Sequence, residues 1–206
     1  MPEQISLIAM VVLVITTLFL LLSQNWRLNI IALAVQFLAV FALTTLVWPF
    51  GLSAVKLVAG WMAGAVLGAS QPDPALVEDP QAVGGATFIF RLLVAVLVWV
   101  LVLTITPLIT SILPLPFPLI TGAMLLIGMG LIHLGMTTRP LRVLLGLLTT
   151  LSGFELLYAA VENSVMVAGL LAVVTLGLAL VGAYLLDAQT DEPVSEAAGS
   201  PGEGTS

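Results

Sequence analysis

Long apolar runs dominate the chain, and short breaks with polar, proline or glycine residues separate them. Each run is close to the roughly 20 residues that a helix needs to cross a bilayer. The pattern predicts seven spanning helices, at residues 5–22, 30–49, 52–69, 87–106, 119–136, 141–162 and 165–186. We therefore expect an all-α integral-membrane bundle of about seven helices over residues 1–186.

The breaks between these helices differ in character. Pro49 and Gly51, in WPFG, predict a tight turn between the second and third helices. An acidic segment rich in proline and glycine, SQPDPALVEDPQAVGGA, follows the third helix, and PLITSILPLPFPL follows the fourth. We expect no regular helix in the latter, because proline lacks the backbone N–H and clashes with the preceding turn. Residues 187–206 carry five acids and no base, which predicts a disordered acidic tail.

Composition supports a membrane protein and excludes several kinds of site. The chain is 60% hydrophobic and 8% charged, with a mean hydropathy of +1.21, whereas a soluble domain has about 25% charged residues. Without cysteine it has no disulfide, thiolate-metal or iron–sulfur site, and the single His133 cannot form a structural zinc site alone. The sequence contains no phosphate-binding loop and no HExxH motif. We therefore expect a non-catalytic chain without metal or cofactor.

The basic residues predict an orientation. Arg27 lies between the first two helices, Arg139 and Arg142 between the fifth and sixth, and Arg91 near the start of the fourth. Cytoplasmic loops carry an excess of Lys and Arg, so these arginines predict an outer N-terminus and a cytoplasmic C-terminus. Arg27, Arg139 and Arg142 would then anchor the cytoplasmic side. Five scattered basic residues give no electrostatic footprint for nucleic acid.

Two charged residues interrupt the apolar runs. Glu155 lies inside SGFELLYAAVENS, where a charge costs about 2.5–3.5 kcal/mol at the centre of a bilayer helix. An intramembrane acid is a functional candidate, and the alternative is a neutral or paired carboxyl that fastens helices together. Lys56, in the third helix, lies at a similar predicted depth, although a lysine can also extend its side chain to the interface. We hypothesise that Lys56 and Glu155 pair or exchange a proton, whereas Glu162 is expected to be an interfacial carboxylate.

Glycine and histidine complete the set of candidate residues. Gly60, Gly64 and Gly68 follow Lys56 at four-residue spacing, which predicts a helix-packing face of small residues. His133 has an ordinary pKa of about 6.5 that suits proton transfer, but a lone histidine in an apolar helix is also compatible with a hydrogen-bonding role. The candidate proton-relay set is therefore Glu155, Lys56 and His133.

Part of the chain resembles a known subunit. GLIHLGMTTRPLRVLLGLLTTLSGFELLYAAVENSV, followed by GLLAVVTLGLALVGAYLL, resembles the small K-type subunit of respiratory complex I. That subunit has three helices, a basic first loop, a G-x-E in its second helix and a third helix rich in Gly, Leu and Ala. The resemblance makes residues 119–186 a K-subunit-like three-helix unit, with Arg139 and Arg142 in the basic loop and Gly153 and Glu155 in the G-x-E.

Over its whole length, the chain is similar to component E of hydrogenase-4-type membrane complexes. Residues 25–29 resemble the WRLN-like turn of that family, and Lys56 resembles its lysine in the third helix. The resemblance implies a multi-pass subunit of the cytoplasmic membrane that has antiporter-like and redox subunits as partners. Glu155 would then belong to a chain of ionisable groups that carries protons or sodium ions. Val173 stands where the K-type subunit has a second glutamate, and the spacing from the arginine loop to Glu155 is a few residues longer.

Three functional hypotheses follow. The first is an accessory subunit of a hydrogenase-like or complex I-like oxidoreductase that contributes a buried carboxylate to ion translocation. The second is a purely structural scaffold or assembly subunit in which Glu155 holds helices together. The third is a free-standing small transporter, against which stand the missing inverted repeat and the few polar residues available for a substrate site.

Overall fold

The computed structural model describes residues 2–71, 85–113, 115–162 and 164–198. These residues form seven α-helices and, within these ranges, no strand. Each helix is long and apolar enough to cross a membrane, which confirms the prediction of an all-α, multi-pass bundle. The helices are α1 (Pro2–Leu22), α2 (Trp26–Thr44), α3 (Phe50–Ala69), α4 (Gly85–Ile112), α5 (Phe117–Gly135), α6 (Pro140–Val161) and α7 (Val165–Ala198).

The ends of α2 differ from the prediction. α2 begins four residues earlier than predicted, because the Asn25 side chain accepts a hydrogen bond from the Arg27 backbone N–H at 3.1 Å and caps the helix. It ends at Thr44 instead of residue 49. There the N–H groups of Leu46 and Val47 bond to carbonyls three residues back, which tightens the last turn before Pro49 caps α3.

α4 continues through a proline at which the sequence predicted a break. It includes Pro107 and extends to Ile112, so the prediction that residues 107–119 form no regular helix was wrong for 107–112. Residues 113, 115 and 116 are not helical, and α5 begins at Phe117. The Thr106 hydroxyl donates to the Val102 carbonyl at 2.7 Å, and the Thr110 hydroxyl donates to the Pro107 carbonyl at 3.0 Å. Neither bond reaches the Leu103 carbonyl, which Pro107 leaves without its helical donor. The helix continues because ending it here would leave several more backbone groups unpaired in an apolar environment.

The last helix is longer than predicted. α7 runs to Ala198, although its apolar span ends at Ala188 and the sequence placed a disordered tail from residue 187. Alanine, glutamine and glutamate are good helix formers, and they are frequent in this extension. Residues 199–206 and the acidic segment 72–84 lie outside the described part of the chain.

The core lies where α2 and α6 meet the other helices. α2 contacts α1, α3, α5 and α6, and α5 packs along most of the length of α6. One cluster of buried side chains, which includes Leu13, Leu43 and Leu126, joins α1, α2, α4, α5 and α6. A second cluster, which includes Leu20, Phe37 and Leu145, joins α1, α2, α3, α6 and α7. α4 and α7 are the least buried spans and leave most of their surface for lipid.

Glycines set the closest helix approaches. A Cβ atom on Gly153 would lie 2.7 Å from the Ala123 carbonyl oxygen, so the backbones of α5 and α6 touch there. The glycine stripe of α3 faces α2, but its members are not equivalent. A Cβ on Gly60 would overlap the Phe37 ring, whereas Gly64 and Gly68 face only Ile30, at 4.0 and 3.4 Å.

Candidate functional site

The topology gives the bundle two ends with different charge. α1, α3, α5 and α7 finish at one end, where α2, α4 and α6 begin. We name this the arginine end, because all the arginines of the sequence lie near it, and we name the other the opposite end. The residues that define the arginine end are Arg27, Arg91, Arg139 and Arg142.

Lys56 and Glu155 lie at the same depth below the opposite end. Lys56 is six residues after Phe50, where α3 begins, and Glu155 is six residues before Val161, where α6 ends. At 1.5 Å per residue, each lies about 9 Å along its helix from that end. A carboxylate is too short to reach water from this depth along the helix surface, so Glu155 depends on partners within the bundle.

The two residues form an ion pair. Lys56 Nζ contacts Glu155 Oε2, and the side chains are only 9% and 4% exposed. Thr175 of α7 donates from its hydroxyl to Glu155 Oε1 at 3.2 Å. Three helices therefore supply one buried polar site. A partner charge and a hydrogen bond on the other oxygen are what make an ionised carboxylate tolerable at this depth.

A small cleft adjoins the ion pair. Its volume of about 10 Å³, measured as the space open to the centre of a water molecule, is at the lower limit for holding one water. Trp48 lines it towards the opposite end and donates from Nε1 to the Glu162 backbone carbonyl at 3.0 Å, which links the α2–α3 turn to the end of α6. Glu162 itself is exposed. The other lining residues are Leu52, Lys56, Ala59, Glu155, Ala168, Leu171, Ala172 and Thr175.

Further polar side chains precede Glu155 on α6. Ser152 and Thr149 stand three and six residues before it, and both are buried. At about 100° per residue, Ser152 shares the helix face of Glu155, whereas Thr149 lies about 120° round the helix, where it meets Gln36 of α2. Gln36 of α2 donates from Nε2 to Thr149 Oγ1 at 3.3 Å. Buried polar groups thus extend about 9 Å from Glu155 towards the arginine end. The sequence analysis missed Ser152, Thr149 and Thr175, although the three-residue spacing on α6 was a readable signal.

His133 is not part of this site. It is buried in the last turn of α5, at the arginine end, within electrostatic range of Arg91 and Arg142. Arg142 and Glu155 are thirteen residues apart on α6, or about 20 Å. The structure therefore brings together Lys56 and Glu155 of the predicted relay set and leaves His133 apart from them.

The three predicted anchor residues have different environments at the arginine end. Arg27 is exposed and stacks over the Trp26 ring at 5.2 Å, and Arg139 is exposed at the start of α6. Arg142 is buried, and its Nη2 donates to the Ser23 carbonyl at 2.7 Å. Two of the three therefore face outwards, as anchors do, while the third is tied into the bundle.

Comparison with known proteins adds no assignment: no protein-family model, no curated protein and no solved structure matches the chain. The chemistry of the Lys56–Glu155 ion pair is therefore the main indication of function. An amine and a carboxylate in contact can exchange a proton, which converts two charges into two neutral groups without moving a net charge through the apolar interior.

Proposed function

We propose that this chain is an integral-membrane accessory subunit that carries protons through the Lys56–Glu155 pair. Its assembly would be a hydrogenase-like or complex I-like oxidoreductase in the cytoplasmic membrane, with antiporter-like and redox subunits as partners. The observation that carries the proposal is a buried lysine–glutamate pair beside a water-sized cleft, about 9 Å below one end of the bundle. The chain itself contributes ion-path residues and no redox chemistry, with its N-terminus outside and its C-terminus cytoplasmic.

The neighbourhood of the pair supports a relay. A proton that enters past Trp48 reaches the Glu155 carboxylate within the cleft, because the Lys56 ammonium of the ion pair has no lone pair to accept it. Its arrival on Glu155 weakens the attraction to Lys56, and its departure restores the ion pair. The buried hydroxyls of Ser152 and Thr149, with Gln36 beyond them, extend hydrogen-bonding groups towards the middle of the membrane.

The same geometry favours a proton over a sodium ion. Glu155 and Thr175 supply oxygen atoms at the site, but the Lys56 ammonium contacts the carboxylate oxygen that a sodium ion would need. Two like charges 4 Å apart repel by about 4 kcal/mol at an effective dielectric constant of 20. A cation would therefore have to displace or deprotonate Lys56 first.

A purely structural role is the second candidate, and the contacts of Thr175 favour it. Its hydroxyl holds the Glu155 carboxylate from α7 while Lys56 holds it from α3, so the pair also fastens three helices. The two roles separate when assembly and ion movement are measured on the same complex.

The complex itself is the first thing to isolate. The native membrane is extracted with a gentle detergent, the chain is recovered through a tag at its C-terminus, and the co-purifying proteins are identified by mass spectrometry. We expect antiporter-like membrane subunits together with iron–sulfur or nickel–iron subunits. Recovery of the chain alone, or only with itself, would contradict the subunit proposal.

Glu155→Gln then tests the relay in that complex. It removes the exchangeable carboxyl and keeps its size. It also leaves Lys56 without its anion, but the long lysine side chain can extend towards the opposite end, so the complex should still assemble on a native gel. Redox-driven proton uptake by inverted membrane vesicles should fall about tenfold or more, as expected when a proton-transferring group is lost. Glu162→Gln is the matched control, because it removes an exposed carboxylate from the end of the same helix. Equal proton uptake in both variants would favour the structural role.

A further inference from the structure

Two arginines converge on the end of α1. Arg91 of α4 donates from Nη1 to the Leu21 carbonyl at 3.3 Å, and Arg142 of α6 donates from Nη2 to the Ser23 carbonyl at 2.7 Å. The accepting carbonyls are two residues apart, so the guanidinium groups are close neighbours. Asn29 of α2 also donates to the Ser23 carbonyl, at 3.4 Å.

Within residues 2–71, 85–113, 115–162 and 164–198, this cluster carries more positive charge than its protein contacts balance. A helix C-terminus is equivalent to about half a negative charge, and it faces two full positive charges here. Among the residues that the structure describes, the ion pair of Lys56 with Glu155 involves neither arginine, and no other ion pair is found. Arg91 Nε is buried and has no hydrogen-bond partner in the same described region. An anion with several oxygen acceptors would satisfy the free N–H groups and the charge.

The position of the cluster identifies the kind of anion. Ser23 directly follows α1, and Arg142 is the third residue of α6, so the cluster lies at the boundary of the apolar spans. Phospholipid phosphates lie at this level of a bilayer. Arg91 belongs to α4, one of the least buried spans, and its neighbours Phe90 and Leu93 are more than half exposed. Arg91 is itself partly exposed whereas Arg142 is buried, so the cluster is approached from the lipid side through Arg91.

We propose that Arg91 and Arg142 bind the phosphate of an anionic phospholipid at the arginine end. Arginine matches the oxygen geometry of a phosphate with paired N–H donors, and basic pockets between membrane helices bind phospholipid head groups. A head group without its own cation is preferred, because it leaves the full negative charge to the two guanidinium groups. This site is independent of the ion pair and of the proposed relay.

Native mass spectrometry of the full chain tests the proposal. The detergent-solubilised protein is given equal amounts of phosphatidylglycerol and phosphatidylcholine with identical acyl chains. We expect about 25-fold preference for bound phosphatidylglycerol, since each of the two arginines near an anionic head group contributes about fivefold. A second titration adds inorganic phosphate. If millimolar phosphate displaces the phosphatidylglycerol, the site is one for a soluble anion and the lipid assignment is overturned.

Three variants locate the site. Arg91→Gln should reduce the preference about fivefold, and Arg91→Gln with Arg142→Gln should abolish it. Arg27→Gln is the matched control, because Arg27 lies at the same end but is exposed and stacked on Trp26. The Arg27→Gln protein should keep the native preference for phosphatidylglycerol over phosphatidylcholine. If the double variant fails to fold by circular dichroism, the Arg91→Gln and Arg27→Gln proteins decide alone. An unchanged preference in Arg91→Gln, an equal loss in Arg27→Gln, or no preference in the native chain overturns the proposal.

Discussion

Lys56→Met is expected to destabilise the bundle by about 3 kcal/mol, because it leaves the Glu155 carboxylate buried without its cation. Removal of one partner of a buried ion pair typically costs about 3–5 kcal/mol, and protonation of the remaining carboxylate relieves part of that cost. The free energy of unfolding can be measured by reversible unfolding in mixed micelles, with helix content followed by circular dichroism.

The matched control is the double variant with Lys56→Met and Glu155→Gln. Here neither charge remains, so most of the stability should return, to within about 1 kcal/mol of the native chain. A single variant Lys56→Met that is as stable as the native chain would contradict a charged pair. It would show that Glu155 is neutral when alone in the bundle and needs no cation.

The two variants together also bear on function. If the double variant is stable and assembles, but its complex does not move protons, the pair is not required for folding and its role is ion movement. A buried ion pair can often be replaced by apolar residues without loss of stability. In that case Lys56 and Glu155 are present because they exchange a proton, and not because they hold the helices together.

The apolar runs were sufficient to predict the seven helices, because the length of each run is set by the thickness of the bilayer. They did not predict the ends of α2 or the continuation of α4. The start of α2 depends on the Asn25 cap, and the continuation of α4 depends on the cost of leaving backbone groups unpaired at a helix end in an apolar environment. A hydropathy pattern contains no information about hydrogen bonding at the helix ends.

The sequence predicted how deep each site residue lies along its helix, but not which helices face one another around the site. Lys56 and Glu155 lie at equal distances from the ends of their helices on the side named the opposite end. Because each buried charge is costly, the sequence favoured a pair between them. The hydroxyl of Thr175 carries no such cost, so its place beside Glu155 depends on how α7 packs against α3 and α6. His133 was grouped with the pair by its chemistry, but it lies near the other end of the bundle.

The glycine pattern also predicted a packing face without predicting which residues lie opposite it. Four-residue spacing identified the face of α3 that packs on α2, but the spacing treats Gly60, Gly64 and Gly68 alike. Which of them a larger residue would disturb depends on where Phe37 lies on α2. In the part of the chain that the structure describes, Gly153 is one of the two glycines whose added Cβ would come as close as 2.7 Å to a backbone atom of the neighbouring helix, the other being Gly130. The sequence singled out Gly153 for its place before Glu155 and not for packing.

Gly153→Ala is expected to destabilise the bundle by about 2–3 kcal/mol. The added methyl group would lie 2.7 Å from the Ala123 carbonyl oxygen and 2.8 Å from the Ile127 backbone nitrogen, both of which are fixed in α5. No side chain can rotate away to make room, so α6 must move away from α5, and overpacking of this kind costs about 1–3 kcal/mol or more. The free energy of unfolding in mixed micelles measures the effect.

Gly64→Ala is the matched control, because a methyl group there would meet only Ile30, at 4.0 Å. It should change the free energy of unfolding by less than about 0.5 kcal/mol, the usual range for a substitution that disturbs no packing. Gly153 is two residues before Glu155, so movement of α6 also shifts the carboxylate relative to Lys56. Gly153→Ala should therefore lower proton uptake in assembled complexes as well as stability, while Gly64→Ala leaves both unchanged. If the two variants are equally stable, the backbones of α5 and α6 are not in contact at Gly153, and the position of Glu155 must be set by its polar partners alone.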